Sequence, residues 1–311
     1  MCKYYIGYSE NSLTRYEASS GGIGSAIIQY LLSGHDYDTS ISFFFNEKEC
    51  KYEPKLIHSF QDYYNCGSIY QDVDLIGFIK DNINEIGKGL VVTCLPCQVR
   101  AIKRIVTSAK LRCFIICLCC SGQTTLEGTY YYYRLLHIDK KDVKHIRYRG
   151  EGWPSGIKIL LKDGRIIKKD NYTYPWSLIH KSFLFRPKRC LLCPMKTNNE
   201  ADVALADPWL KEYIKNDKKG NTMTIAYSSI GIDVLESLWE KNMVTFIETN
   251  EQTYIKSQLG TIEWKANVRN HKRFFHLIRM MSTTYYKKIA TSSVFCLKMH
   301  NRIIKYLYKL L

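Results

Sequence analysis

The chain has 311 residues, 46% of them hydrophobic, with twelve cysteines and a net charge of +16 at neutral pH. That is enough apolar material for a substantial core in one large domain or two. No apolar run approaches the roughly 18–20 residues of a membrane span, and MCKYYIGYSE lacks the charged-then-apolar pattern of an export signal, so a cytoplasmic, reducing setting is expected. In chain order, KYYIGY reads as a strand, and Ser19-Ser20-Gly21-Gly22 opens a helix through about Leu32. Ile41–Phe45 is a short apolar strand, and Asp72–Asn84 has helical spacing. A strand follows at Leu90–Thr93, a helix at Gln98–Val106, a buried strand at Cys113–Cys119 and a helix at Thr124–Leu136. This alternation predicts an α/β fold whose N-terminal region holds a mixed, largely parallel sheet.

After about His145 the pattern changes to a hairpin- and loop-rich C-terminal region ending in helices. GIKILLKDGRIIKK, from Gly156 to Lys169, is a hairpin turning at Asp163-Gly164. A loop-rich stretch runs from Asp170 to Trp209, Ile232–Lys241 is helical, Val244–Thr249 is a strand, and about the last 40 residues have helical spacing. Three regions are expected, at 1–87, 88–250 and 251–311.

Four cysteines sit in motifs that aim a thiolate. Cys97 follows Pro96 where a strand turns into a helix, and Cys120 ends an apolar strand. Cys190 and Cys193 form a Cys-x-x-Cys pair in RPKRCLLCPMK. Four soft thiolates suit an iron–sulfur cluster or tetrahedral zinc. The pair alone fits half of either site, a redox dithiol, or two reduced thiols packed as small hydrophobes. Cys97 and Cys120 lie at C-terminal strand ends, where ligands collect in an open α/β sheet. Cys113, Cys117 and Cys119 share one parity and are expected to face away from Cys120.

Ser19-Ser20-Gly21-Gly22 suits either a helix start that binds phosphate or an ordinary Ser-capped one. Arg147–Pro154 places two cations beside an aromatic in a glycine-rich turn, which fits an anionic planar ligand or a solvated turn. The strand Ala201–Ala206 ends at Asp207, which either faces a site or caps the loop.

Taken in order, the SSGG segment, Gly67-Ser68-Ile69-Tyr70, PCQV, CSG, YRGEGW, RPKRCLLCPMK and ADVALADPW resemble the beta subunits of coenzyme F420 hydrogenases and dehydrogenases, over about residues 15–225. The resemblance implies an iron–sulfur flavoprotein oxidoreductase carrying FAD and a [4Fe–4S] cluster. Such a protein passes electrons between the cluster and a deazaflavin or another two-electron acceptor, supplied by a redox partner protein or a small molecule. It implies Cys97, Cys120, Cys190 and Cys193 as cluster ligands. Ser20, Gly21 and Gly22 would form part of the flavin phosphate site, and Gly67, Ser68, Tyr70, Arg149 and Trp153 would line the flavin or substrate cavity. Bacterial relatives in surface-polysaccharide gene sets point to that kind of pathway. The chain departs from the pattern in having only Cys2 where relatives carry a two-cluster ferredoxin segment, Cys94-Leu95 before PCQ, Ser121 for the usual His, and Asp207-Pro208-Trp209 for Asp-Phe-Trp. The alternative from a different class is a non-enzymatic binding protein with structural zinc on the same four cysteines.

The charge is concentrated at the end of the chain. From Trp264 to Leu311 there are eleven Lys or Arg and no Asp or Glu. Ser293–Leu311 is expected to be an amphipathic helix, with Phe295, Met299, Ile303, Tyr306 and Leu310 on one side and Lys298, Arg302, Lys305 and Lys309 as a second stripe. That stripe is expected on an acidic partner subunit, on an anionic inner-membrane surface, or simply solvated on a packed helix. A nucleic-acid role is not expected.

Overall fold

The structure is a computed structural model that describes residues 2–170 and 172–309. Strand β1 (Lys3–Ser9) is followed by α1 (Ser12–Glu17), α2 (Ile23–Leu32), β2 (Thr39–Asn46), β3 (Lys51–Ile57) and α3 (Leu75–Asp81). Next come β4 (Gly89–Cys94), α4 (Val99–Ser108), β5 (Arg112–Leu118), α5 (Leu126–Leu135) and β6 (Val143–Arg147). The hairpin β7 (Gly156–Leu161) and β8 (Ile166–Asp170) leads to α6 (Trp176–Lys181), β9 (Val203–Ala206), α7 (Lys211–Asn216), β10 (Thr222–Ala226), α8 (Ser229–Glu240) and β11 (Val244–Thr249). Five helices close the chain: α9 (Glu251–Ser257), α10 (Leu259–Asn270), α11 (Lys272–Met281), α12 (Thr284–Ala290) and α13 (Val294–Lys309).

The main sheet among the described residues has eight strands in the order β11-β1-β10-β9-β5-β4-β2-β3. Its central block β9-β5-β4-β2 is parallel, and antiparallel pairs extend it on both sides. The alternation of strand and helix through α4 therefore produces the parallel block, and the antiparallel flanks make the sheet mixed. Pro54 is tolerated because β3 is an edge strand, where a missing N–H costs no ladder bond.

Strand periodicity sorts side chains into two layers. Leu90, Val92, Ile115 and Cys117 face α3 and α4, whose Leu75, Ile79, Val99, Ile102 and Val106 fill that side. Val91, Phe114 and Ile116 face α2 and α8 through Ile23, Ile27, Leu31, Leu235 and Leu238. The three-stranded sheet β6-β7-β8 packs Val143, Ile146, Ile157 and Ile159 against α5 and α6, around Tyr132, Tyr133 and Trp176. The closing helices gather around Leu191, with Val268, Phe275, Ile278 and Ile304. Leu191 lies between the paired cysteines, so the basic tail builds the scaffold of the Cys-x-x-Cys loop.

Candidate functional site

The parallel block sends the C-terminal ends of β4, β5 and β9 to one edge of the sheet. A cavity of about 560 Å³ opens there, within the roughly 300–1,000 Å³ typical of small-molecule and cofactor sites. Its walls include Cys94 at the end of β4, Leu118 to Gln123 from the end of β5 onward, and Leu205 to Asp207 at the end of β9. Ser20, Gly22, Gly67, Ser68, Tyr70 and Arg149 also line it, so the structure brings together six of the eight residues expected at a flavin or substrate cavity. Gly21 and Trp153 are not on its wall.

Each absence has a packing reason. A Cβ on Gly21 would lie 2.4 Å from the Gly7 carbonyl oxygen, and its amide donates to Thr222 Oγ1 at 2.8 Å. Gly21 thus lets the loop before α2 lie flat on β1 and β10. Trp153 is buried against Trp209 with ring centroids 5.3 Å apart, and its indole N–H donates to Asp207 Oδ1 at 3.0 Å.

The start of α2 is not an ordinary serine cap. Gly22 occupies the N-cap with φ of +81° and supplies no side chain. Ser19 Oγ accepts from the Ser68 amide, while Ser20 Oγ pairs with Thr222 Oγ1 at 2.9 Å. Gly67, with φ of +69°, allows the next wall to close, since a Cβ there would stand 2.3 Å from the Arg149 carbonyl oxygen. Tyr70 stacks on Trp176 at 6.0 Å and forms an aromatic wall.

The arginine turn is buried rather than solvated: Arg147 and Arg149 are 8% and 5% exposed. Arg147 donates to the carbonyls of Glu17 and Asn65. Arg149 grips Asp207 with two hydrogen bonds of 2.8 Å and donates to the Ser19 carbonyl at 2.6 Å. Burial alone would lower the Arg149 pKa, but the Asp207 carboxylate overrides it and holds the guanidinium protonated. Asp207 therefore faces the site, and the Arg149 Nε remains buried without a partner.

The four cysteines come from three elements. Cys97 precedes α4 and is exposed, Cys120 follows β5, Cys190 is buried, and Cys193 is partly buried. The Cys120 amide donates to the Lys196 carbonyl at 2.9 Å, which ties the end of β5 to the Cys-x-x-Cys loop. The thiols share one electrostatic neighbourhood. Desolvation, then the charges of Cys193 and Cys190, raise the Cys97 thiol against the pull of Arg189. Burial pushes Cys120 up to about 11; Lys265 opposes this, while Cys190 and Cys97 add to it. Among the described residues, no three His, Cys, Asp or Glu side chains form a group that could hold a metal ion.

Two cations without carboxylate partners among the described residues stand at these thiols. Lys265 is 3% exposed and donates to the Cys193 carbonyl at 3.0 Å. Arg186 donates to the Ser121 carbonyl at 3.2 Å and lies beside the stacked rings of Phe183 and Trp264, and its Nε is buried and unpaired. Burial lowers the Arg186 pKa, whereas charge on Cys190 and Cys120 raises it. Buried cations need anionic compensation. Four thiolates around a metal centre would provide it, and the donor set is the soft one that iron–sulfur clusters use.

The sequence reading missed Arg186, Lys265 and Gln258. Gln258 donates to the Asp207 carbonyl and accepts a weak bond from Cys119 Sγ at 3.4 Å. Arg186 lies inside the RPKRC motif, where only the cysteine carried a role; Lys265 on α10 and Gln258 between α9 and α10 belong to no motif. Cys117 faces the core layer of α3 and α4, where the charges of Cys120 and Cys97 still reach it, and Cys119, past the end of β5, turns toward Gln258 at the start of α10, so parity along β5 does not separate these thiols from Cys120.

The family model for the C terminus of the coenzyme F420 hydrogenase/dehydrogenase beta subunit matches residues 87–252. All four cysteines, Arg149 and Asp207 fall inside that span; Ser20–Gly22 and Gly67–Tyr70 lie before it. The fold is similar to that of a chain in the F420-reducing [NiFe] hydrogenase complex of Methanosarcina barkeri, with TM-score 0.64 and 15% identity over 88% of this chain and 92% of that one. A comparison with curated protein sequences finds no match.

Proposed function

Because the chain belongs to the coenzyme F420 hydrogenase/dehydrogenase beta-subunit family, we propose that it is an iron–sulfur flavoprotein oxidoreductase. In this reading Cys97, Cys120, Cys190 and Cys193 hold a [4Fe–4S] cluster, and FAD occupies the cavity at the sheet edge. Electrons pass to or from a two-electron acceptor such as coenzyme F420 or a related substrate, and a redox partner protein or small molecule completes the exchange. A surface-polysaccharide pathway is the proposed setting.

The observation that carries the reading is one cavity lined by the Gly22 helix start, the Gly67–Tyr70 segment and Cys120. A flavin supplies two-electron chemistry that can be released in single electrons, and a cluster carries them singly. The chain's own residues prepare the site. Lys265 and Arg186 offset the negative charge of the thiolates; a metal group would have to draw the sulfurs together from their present positions. The amides at the start of α2 have no side-chain cap and are free to meet phosphate oxygens. Tyr70 and Trp176 offer an aromatic face. Asp207 neutralises Arg149, so that pair shapes the cavity without adding net charge.

Anaerobic reconstitution with iron and sulfide, followed by electron paramagnetic resonance, tests this. The reduced protein should give a cluster signal, and Cys190→Ser should lose it. A protein that takes up one zinc and gives no signal would support a structural zinc site instead.

A further inference from the structure

The last helix is anchored by one face and presents the other to solvent, and we propose that the presented face docks on an anionic lipid bilayer. The anchoring side of α13 is Leu297, His300 and Ile304, all under 5% exposed. His300 lies 2.8 Å from the Ser182 carbonyl and 2.9 Å from the Tyr286 hydroxyl. The apolar residues expected on one side of the helix are on the other half. Phe295 is 71% exposed, Met299 37%, Ile303 47% and Tyr306 66%; Leu310 lies outside the described residues.

At 3.6 residues per turn these four span an arc of roughly 80°, and Lys298, Arg302, Lys305 and Lys309 fill the adjoining arc of roughly 60°. Lys298 rests over the Tyr174 ring at 5.5 Å. Arg302, Lys305 and Lys309 have no ion pair among the described residues. The neighbouring α12 adds exposed Tyr285, Lys288 and Ile289. No acid from residue 264 onward neutralises these cations.

The composition selects the occupant. Protein interfaces are depleted in Lys at their centres and pair their charges. An exposed apolar stripe beside uncompensated Lys and Arg is the pattern of helices that lie in the headgroup region of anionic membranes. No helix among the described residues is long and apolar enough to cross a membrane, so α13 would lie on the surface. The contact uses nothing from the cofactor site and stands apart from the proposed activity.

Flotation of the full-length protein with phosphatidylglycerol–phosphatidylcholine vesicles, and with pure phosphatidylcholine, tests it. Binding is expected to anionic vesicles at low salt, and to weaken as salt rises. R302Q/K305Q/K309Q should lower the affinity roughly 100-fold, about fivefold for each of the three charges removed. F295S/I303S, which keeps every charge, should weaken it as well, with circular dichroism confirming that both variants are folded. No binding by the wild type to anionic vesicles at low salt overturns the proposal and leaves the face to an acidic protein partner. Wild-type affinity in F295S/I303S overturns it too, by reducing the contact to adsorption of a basic surface.

Discussion

Asp207 receives three side-chain hydrogen bonds, two from Arg149 and one from Trp153, where water barely reaches. Removing its charge strands a buried guanidinium. Asp207→Asn should therefore cost about 3–5 kcal/mol of stability in urea titrations; a loss below about 1 kcal/mol would mean that the pair is not the buried lock described here. His145 shows the opposite electrostatics. Its Nε2 lies 3.2 Å from the Tyr52 hydroxyl and 3.1 Å from that of Tyr64, and burial, aided by Arg147 and Lys158, lowers its pKa from 6.5 to about 4. Below pH 6.5 the unfolded chain takes up a proton that the folded chain refuses until about pH 4. Stability from His145 is thus present above 6.5 and lost as pH falls through that window, with a limiting slope of about 1.4 kcal/mol per pH unit. Denaturation between pH 6.5 and 4.5 should show a steeper pH dependence for the wild type than for His145→Gln; equal slopes would contradict the assignment. Residues of this kind are poorly legible in a sequence. Asp207 could be read as facing a site or capping a loop, because its partner Arg149 is 58 positions away and only the fold joins them.

At the scale of elements, α2 carries the proposed phosphate end of the flavin. Gly22→Ala and Gly22→Asp both place a Cβ in a left-handed backbone position, where it would meet Ser9 and Thr14 at 3.2–3.3 Å. Each should lose about 1–2 kcal/mol of stability from backbone strain. Only the aspartate adds a carboxylate that can take the helix amides for itself. Gly22→Ala should keep most of its flavin and Gly22→Asp should lose it, as read from flavin released on denaturation. Equal flavin content in the two variants would place the phosphate elsewhere. The elements with the clearest periodicity are legible in the sequence alone: the hairpin at Asp163-Gly164, the β4–α4–β5 run and the start of α2. β3, β6 and β10 are not: β6 and β10 have only five residues each, and β10 is placed by the distant strand β1. β3 also contains Pro54, which reads as a break until the edge position is known.

Over the whole molecule, the sequence motifs converge on one edge of the sheet, while the basic tail supplies part of the scaffold. Leu191, between the paired cysteines, is wholly buried among residues of α10, α11 and α13, and Lys265 of α10 reaches the Cys193 carbonyl. The tail's charge was plain in the composition, but its double role was not. Spacing alone could not separate Lys265, which turns inward to the thiols, from Arg302 and Lys305, which stay in solvent. The four cysteines stood out because soft-metal chemistry favours residue types and spacings that are recognisable without the fold; that they hold a cluster is the proposal. The central claim is that these thiols and the adjoining cavity hold a redox pair of cofactors. Iron, sulfide, zinc and flavin analysis of the protein purified without oxygen tests it most directly. About four iron and four sulfide per chain, with one FAD, are expected, and loss of the iron in Cys120→Ser; a colourless protein with one zinc per chain and no flavin would rule the redox site out.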